Sequence, residues 1–170
     1  MHVEKRNGDS KNNDGKMTVR TADEAPLLVT RSSLPDLDEF IREIRPLWEN
    51  RWLTNRGEKH RQLETALAAY LDVPYISLFS NGHLALEAAL TVLKLQGEVI
   101  TTPFTFASTT HALVRCGLEP VFCDIRPDDC TLDPAKIASL ITERTCAILP
   151  VHVYGQVCAA PAIEAIARRA

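Results

Sequence analysis

In the first third of the globular part of the chain, apolar residues recur at helical spacing. Beyond it, short unbroken apolar runs alternate with further helical stretches. Leu37, Phe40, Ile41 and Ile44 fall on one face of a helix that Ser33 is placed to cap and Pro46 to kink or end, an amphipathic helix expected to pack on a sheet. After the polar turn WLTNRG, Leu63, Leu67, Tyr70 and Leu71 form the predicted buried stripe of a second helix, closed by Val73-Pro74. The runs Tyr75 to Phe79, Glu98 to Thr102, Pro120 to Ile125 and Cys146 to Val151 are bounded by turn residues. Most are too uniformly apolar to have one wet face, which predicts strands buried on both sides. Between them, Leu84 to Leu93, Ser108 to Cys116 and Pro134 to Glu143 read as helices, the last with Asp133 as cap and Pro134 at its first position. A final helix is predicted from near Pro161 to the last residue. Strands alternating with helices of this length imply crossover connections. The predicted class is therefore α/β, a mainly parallel sheet covered by helices.

Composition narrows the ligand more than the fold. Residues 1–25 carry charge, Asn, Gly and Ser with little to bury, so they are predicted to stay disordered and 26–170 to form the folded part. Lys and Arg total 19 against 22 Asp and Glu, a net charge of −3, so no basic field favours nucleic acid or an anionic membrane. A small-molecule ligand is the expectation. The 5 cysteines include no C-x-x-C pair, which argues against a zinc site and a disulfide framework and for reduced thiols. No apolar leader and no run long enough to span a bilayer is present, which predicts a cytoplasmic protein.

Candidate chemistry concentrates where apolar runs enter helices. In SLFSNGHLAL, Ser80-Asn81-Gly82-His83 stands at such a junction. Two readings stand side by side: an N-cap by Ser80 or Asn81 with glycine easing the turn, or a cluster of unpaired amides offered to an anion such as a phosphate. It is neither a Walker loop, since no Gly-Lys-Ser/Thr follows, nor a dinucleotide fingerprint, since G-x-G-x-x-G is absent. The next junction, TTPFTFASTT (101–110), should emerge at the same end of the sheet and brings Phe104 and Phe106. Aromatic residues there are either core packing or a platform for a planar ring.

The order WLTNRGEKHRQLE, SLFSNGHLALEAAL, EVITTPFTFASTTHALV, PVFCDIRPDDCTLDPAKI, AILPVHVYGQ resembles the N-terminal half of the DegT-family nucleotide-sugar aminotransferases, pyridoxal-phosphate enzymes of fold type I. The resemblance covers about 26–170. It implies pyridoxal 5'-phosphate as cofactor, its phosphate held by the amides and hydroxyl of a Ser/Asn-Gly-Thr turn, which matches Gly82, His83 and Leu84. His83 departs from the usual threonine, so the backbone role carries over while the hydroxyl contact does not, and two readings of its imidazole stand open: a replacement donor, or a solvated side chain in the first turn of the helix. The family's ring-stacking aromatic matches Phe106, leaving Phe104 for packing. Trp52, Thr54, Asn55 and Arg56 match a segment at the mouth of the site. Arg56 is the candidate for a carboxylate or diphosphate, although composition alone makes it a solvated arginine in a turn. Asp124 and His152 match further positions, with turn capping and structural satisfaction their expected roles.

The implied reaction moves an amino group from glutamate to a nucleotide-linked keto sugar, the particular wording being most similar to members acting on thymidine-diphosphate 4-keto-6-deoxyhexoses, and the implied assembly is a homodimer. Such chemistry needs a lysine that anchors the cofactor and an acid beside the pyridine nitrogen. Both are expected beyond VHVYGQ. Lys59, Lys94 and Lys136 read as solvated positions on helices, so no residue is assigned as catalytic. The 170-residue chain alone is accordingly expected not to catalyse aminotransfer and to leave an apolar sheet edge uncovered. Two alternatives stay open: a sugar dehydratase of the same fold with histidine in place of the lysine, and a truncated non-catalytic remnant.

Overall fold

The computed structural model describes residues 32–170, so the predicted disordered segment 1–25 lies outside the described residues. Two compact units result, one ending at Leu53 and the other running Thr54–Ala170.

The first unit holds α1 (Leu37–Ile44) and α2 (Pro46–Asn50). Pro46 does interrupt the helix, and it fits at the first turn of α2 because an amide there has no helical acceptor to lose. The cap is Asp36, not Ser33: its carboxylate accepts from the amides of Asp38 at 3.0 Å and Glu39 at 3.1 Å, a reach that Ser33, four residues before the first helical position, does not have.

The second unit begins with α3 (Glu58–Leu71). Its predicted stripe is not buried: Leu63, Tyr70 and Leu71 are all exposed, because no facing apolar surface among the described residues covers them. Tyr75 to Phe79 likewise forms no strand. A strand is defined by its ladder, and no neighbouring backbone among the described residues pairs with this run.

From α4 (Gly82–Leu93) onward the α/β prediction holds. β1 (Glu98–Thr101), α5 (Ser108–Arg115), β2 (Glu119–Phe122), α6 (Pro134–Ile137), β3 (Thr145–Ile148) and α7 (Ala160–Ala167) follow in order. The sheet is parallel with order β2-β1-β3. Only central β1 is buried along its length; the β2 and β3 runs, at the edges, are partly open, which corrects the expectation of burial on both faces.

Alternation along β1 organises two cores. Val99 faces Leu90 of α4 and Ala112 and Leu113 of α5. Ile100 faces Cys123, Ile137 of α6, Cys158 and Ile163 of α7. The helix expected over 134–143 is shorter: α6 ends at Ile137, a 3-10 turn covers Ala138–Leu140, and Ile141 is already extended. The Thr142 amide donates to Thr145 Oγ1 at 2.9 Å, a local bond that competes with helix and turns the chain into β3.

That turn also clamps β1. The Glu98 carboxylate, nearly buried, accepts from Thr142 Oγ1 at 2.6 Å and pairs with Arg144, which also reaches Glu119 at 3.1 Å. The Thr142 hydroxyl, and after it Arg144, outweigh burial and hold the Glu98 carboxyl below its ordinary 4.5. A depressed folded value means that this group's stabilisation is present above that pH and is lost as acid protonates it. Glu98→Gln is therefore expected to reduce the fall of the unfolding midpoint below about pH 4.5. Glu64, Asp124 and Asp128 are depressed too, so the slope should shrink without vanishing. Acid melting curves that stay parallel in the two proteins would count against the clamp.

Candidate cofactor site

α4 leads into β1 and α5 leads out of it, so both helices run antiparallel to the strand and both begin at its carboxyl end. Two helix N-termini thus open on the rim where ligands of α/β sheets collect.

At the first, Asn81 is the cap, its Oδ1 accepting from the Leu84 amide at 3.0 Å. Of the three matched positions, Leu84 therefore has its amide engaged. Gly82 and His83, in the first turn, have no intrahelical acceptor for theirs. A Cβ built on Gly82 meets nothing within 4 Å, so the chain's own packing does not require glycine there, and the backbone is open to close approach. The capping and anion readings are thus compatible: one amide is capped and two remain.

At the second, Ser108 opens α5 and its Oγ lies 2.8 Å from His83 Nδ1, which joins the two N-termini directly. His83 Nε2 lies 3.0 Å from Glu87 Oε1 one turn along α4, and Glu87 in turn pairs with Arg115. Phe106, just before α5, is 83% exposed, whereas Phe104 meets Tyr154 edge to face with ring centroids 6.2 Å apart. One ring thus has a free face and the other is packed.

Arg56 makes its polar contact elsewhere, with Glu64 at 2.6 Å in α3. Asp133 caps α6 through the Ala135 amide at 3.0 Å, and Asp124 holds Lys136 at 2.7 Å, so Lys136 is paired and not simply solvated. His152 Nδ1 accepts from the Cys158 amide at 3.2 Å, a structural role. Lys94 ends α4, at the opposite end from Gly82 and His83. Lys59 is half-buried in the first turn of α3.

Sequence reasoning missed Ser108, Glu87 and Arg115. The His83–Glu87 spacing of one helical turn was legible. Nothing local, however, links Ser108 to residue 83.

The DegT/DnrJ/EryC1/StrS aminotransferase family model matches residues 36–170. The chain belongs to that family. Among its relatives, a dTDP-4-amino-4,6-dideoxy-D-glucose transaminase of Escherichia coli is 48% identical over 139 residues, 82% of this chain and 38% of the relative. A GDP-perosamine synthase of Caulobacter vibrioides is 37% identical, over 79% of this chain and 37% of the relative. The chain thus spans under half the length of the family members that it matches. Among solved structures, DesI with its TDP-sugar product superposes with a TM-score of 0.78 at 36% identity, over 87% of this chain and 38% of that one. NtdA of Bacillus subtilis, with bound cofactor PMP, gives 0.71 at 30% identity over 78% of this chain and 31% of that one. The fold is accordingly part of the large domain of a fold type I aminotransferase. Among the described residues no helix is long and apolar enough to cross a membrane.

Proposed function

We propose that the protein carrying this chain transfers an amino group from glutamate to the keto group of a thymidine-diphosphate-linked 4-keto-6-deoxyhexose, working as a homodimer with pyridoxal 5'-phosphate. The observation that carries the cofactor half of this reading is the 2.8 Å meeting of His83 with Ser108, which joins two helix N-termini beside an exposed aromatic ring. The sugar half rests on likeness to the dTDP-amino-sugar transaminase and to DesI.

The residues fit the cofactor. The unpaired amides of Gly82 and His83 and the hydroxyl of Ser108 suit a phosphate monoester, and helix N-termini favour its charge. Phe106 offers the apolar face for the ring, and Phe104, held against Tyr154, backs the same loop. When bound, pyridoxal phosphate supplies the electron sink that amino-group transfer requires. This chain's share is to bind and orient it; the anchoring lysine and the acid at the pyridine nitrogen belong to the part of the protein beyond this chain.

The deciding experiment incubates the full-length protein with pyridoxal phosphate, glutamate and dTDP-4-keto-6-deoxyglucose and follows the amino sugar by mass spectrometry. Formation of the amine with glutamate consumed is expected. A cofactor-loaded protein that leaves the keto sugar untouched, or dehydrates it, overturns the reading. Turnover by the 170-residue chain alone would overturn the placement of the lysine. Phe106→Ala should leave unfolding within about 0.5 kcal/mol of the parent, because the ring is exposed. It should weaken cofactor binding about 10-fold, as read by the cofactor's absorbance, through loss of ring stacking.

A further inference from the structure

The proposed phosphate cradle contains a chain of groups, of which the cofactor reading gives a role only to the Ser108 hydroxyl and its meeting with His83: Ser108 Oγ, His83 Nδ1 at 2.8 Å, His83 Nε2, Glu87 Oε1 at 3.0 Å, and Arg115 on that carboxylate. Its hydrogens follow from valence. An ionised carboxylate has none to give, so Nε2 carries the hydrogen toward Glu87. In the neutral ring Nδ1 is then a bare acceptor, and the Ser108 hydroxyl must point its hydrogen at His83. With its hydrogen turned that way, Ser108 presents only lone pairs to an approaching anion, which repel it.

Resting on the proposed cofactor, we propose that phosphate binding in this cradle takes up one proton at His83. As the phosphate arrives, the Ser108 O–H rotates to donate to a phosphate oxygen. Nδ1, no longer receiving a hydrogen, accepts a proton from solvent and donates it to Ser108 Oγ. No heavy-atom bond forms or breaks, and the ring's new positive charge faces the dianion on one side and Glu87 on the other. The charged and titratable groups around the ring are Glu87 on its own helix and His111 and Arg115 on α5, which line one cleft with it. Arg115 pairs with the Glu87 carboxylate. The α4 dipole favours the anion and disfavours the cation, so the proton is taken up with the ligand and not before it.

The probe is pyridoxamine 5'-phosphate, which carries the same phosphate and forms no covalent bond with lysine. It is titrated calorimetrically into the purified protein near pH 8, in two buffers of different protonation heat. At that pH a phosphate monoester, with its second pKa near 6, is already a dianion and contributes little. Uptake of about one proton is expected in the parent, with affinity falling up to about 10-fold per pH unit above the range where imidazole titrates. His83→Gln should bind with almost no uptake. His83→Thr, which restores the hydroxyl of the family motif, should bind without uptake and serves if the first variant folds poorly. Equal uptake in all three proteins overturns the coupling while the cofactor site stands. Failure of the parent to bind the probe overturns both.

Discussion

Gly97→Ala is expected to cost the fold about 2–6 kcal/mol, combining positive-φ backbone strain with overpacking. Gly97 has φ +107°, and a Cβ there would sit 2.3 Å from the backbone oxygen of Arg144. That oxygen has nowhere to go, because it accepts from the Glu98 amide at 2.8 Å at the start of β1. The Gly97 carbonyl meanwhile accepts from the Glu119 amide at 2.9 Å at the start of β2. One residue thus seats both edge strands on β1, and displacing it disturbs both ladders. The measurement is the urea midpoint of the variant against the parent. A change worth less than about 1 kcal/mol would show that the carbonyl can yield and that the junction is softer than its geometry.

Gly82→Asp should move stability and binding in opposite directions. The side chain has free space, and a carboxylate in the first turn of α4 meets the positive end of the helix dipole, so the fold should gain about 0.3–1 kcal/mol. The same carboxylate stands in the phosphate's place, and juxtaposed like charges cost several kcal/mol, so cofactor affinity should fall about 100-fold or more. Thermal unfolding reads the first effect and cofactor titration the second. Retained affinity in a stabilised variant would remove the anion from this turn, and with it the cofactor assignment.

The two glycines differ in what made them legible. Gly82 stands out in sequence because SNGH breaks between an apolar run and a small-residue helix. Gly97 lies between two residues that any turn accommodates, and its constraint comes from Arg144, 47 positions away, visible only once β3 lies beside β1.

Periodicity by itself determined that this is an α/β chain: the apolar run 98–101 and the helical stretches on either side read the same in sequence and in space. Motif order determined the family, because five segments in series leave little freedom. Periodicity did not determine what is buried. Leu63, Tyr70 and Tyr75 have the pattern of inside residues yet are exposed, since a pattern states which face is apolar and only a neighbouring surface can cover it. It did not determine strandhood for 75–79, which needs a hydrogen-bonding partner. Nor did it reveal the side chain that meets His83. Ser108 reaches that imidazole because two helices antiparallel to one strand must begin at the same end of it, a relation that belongs to the sheet and to no local run of residues.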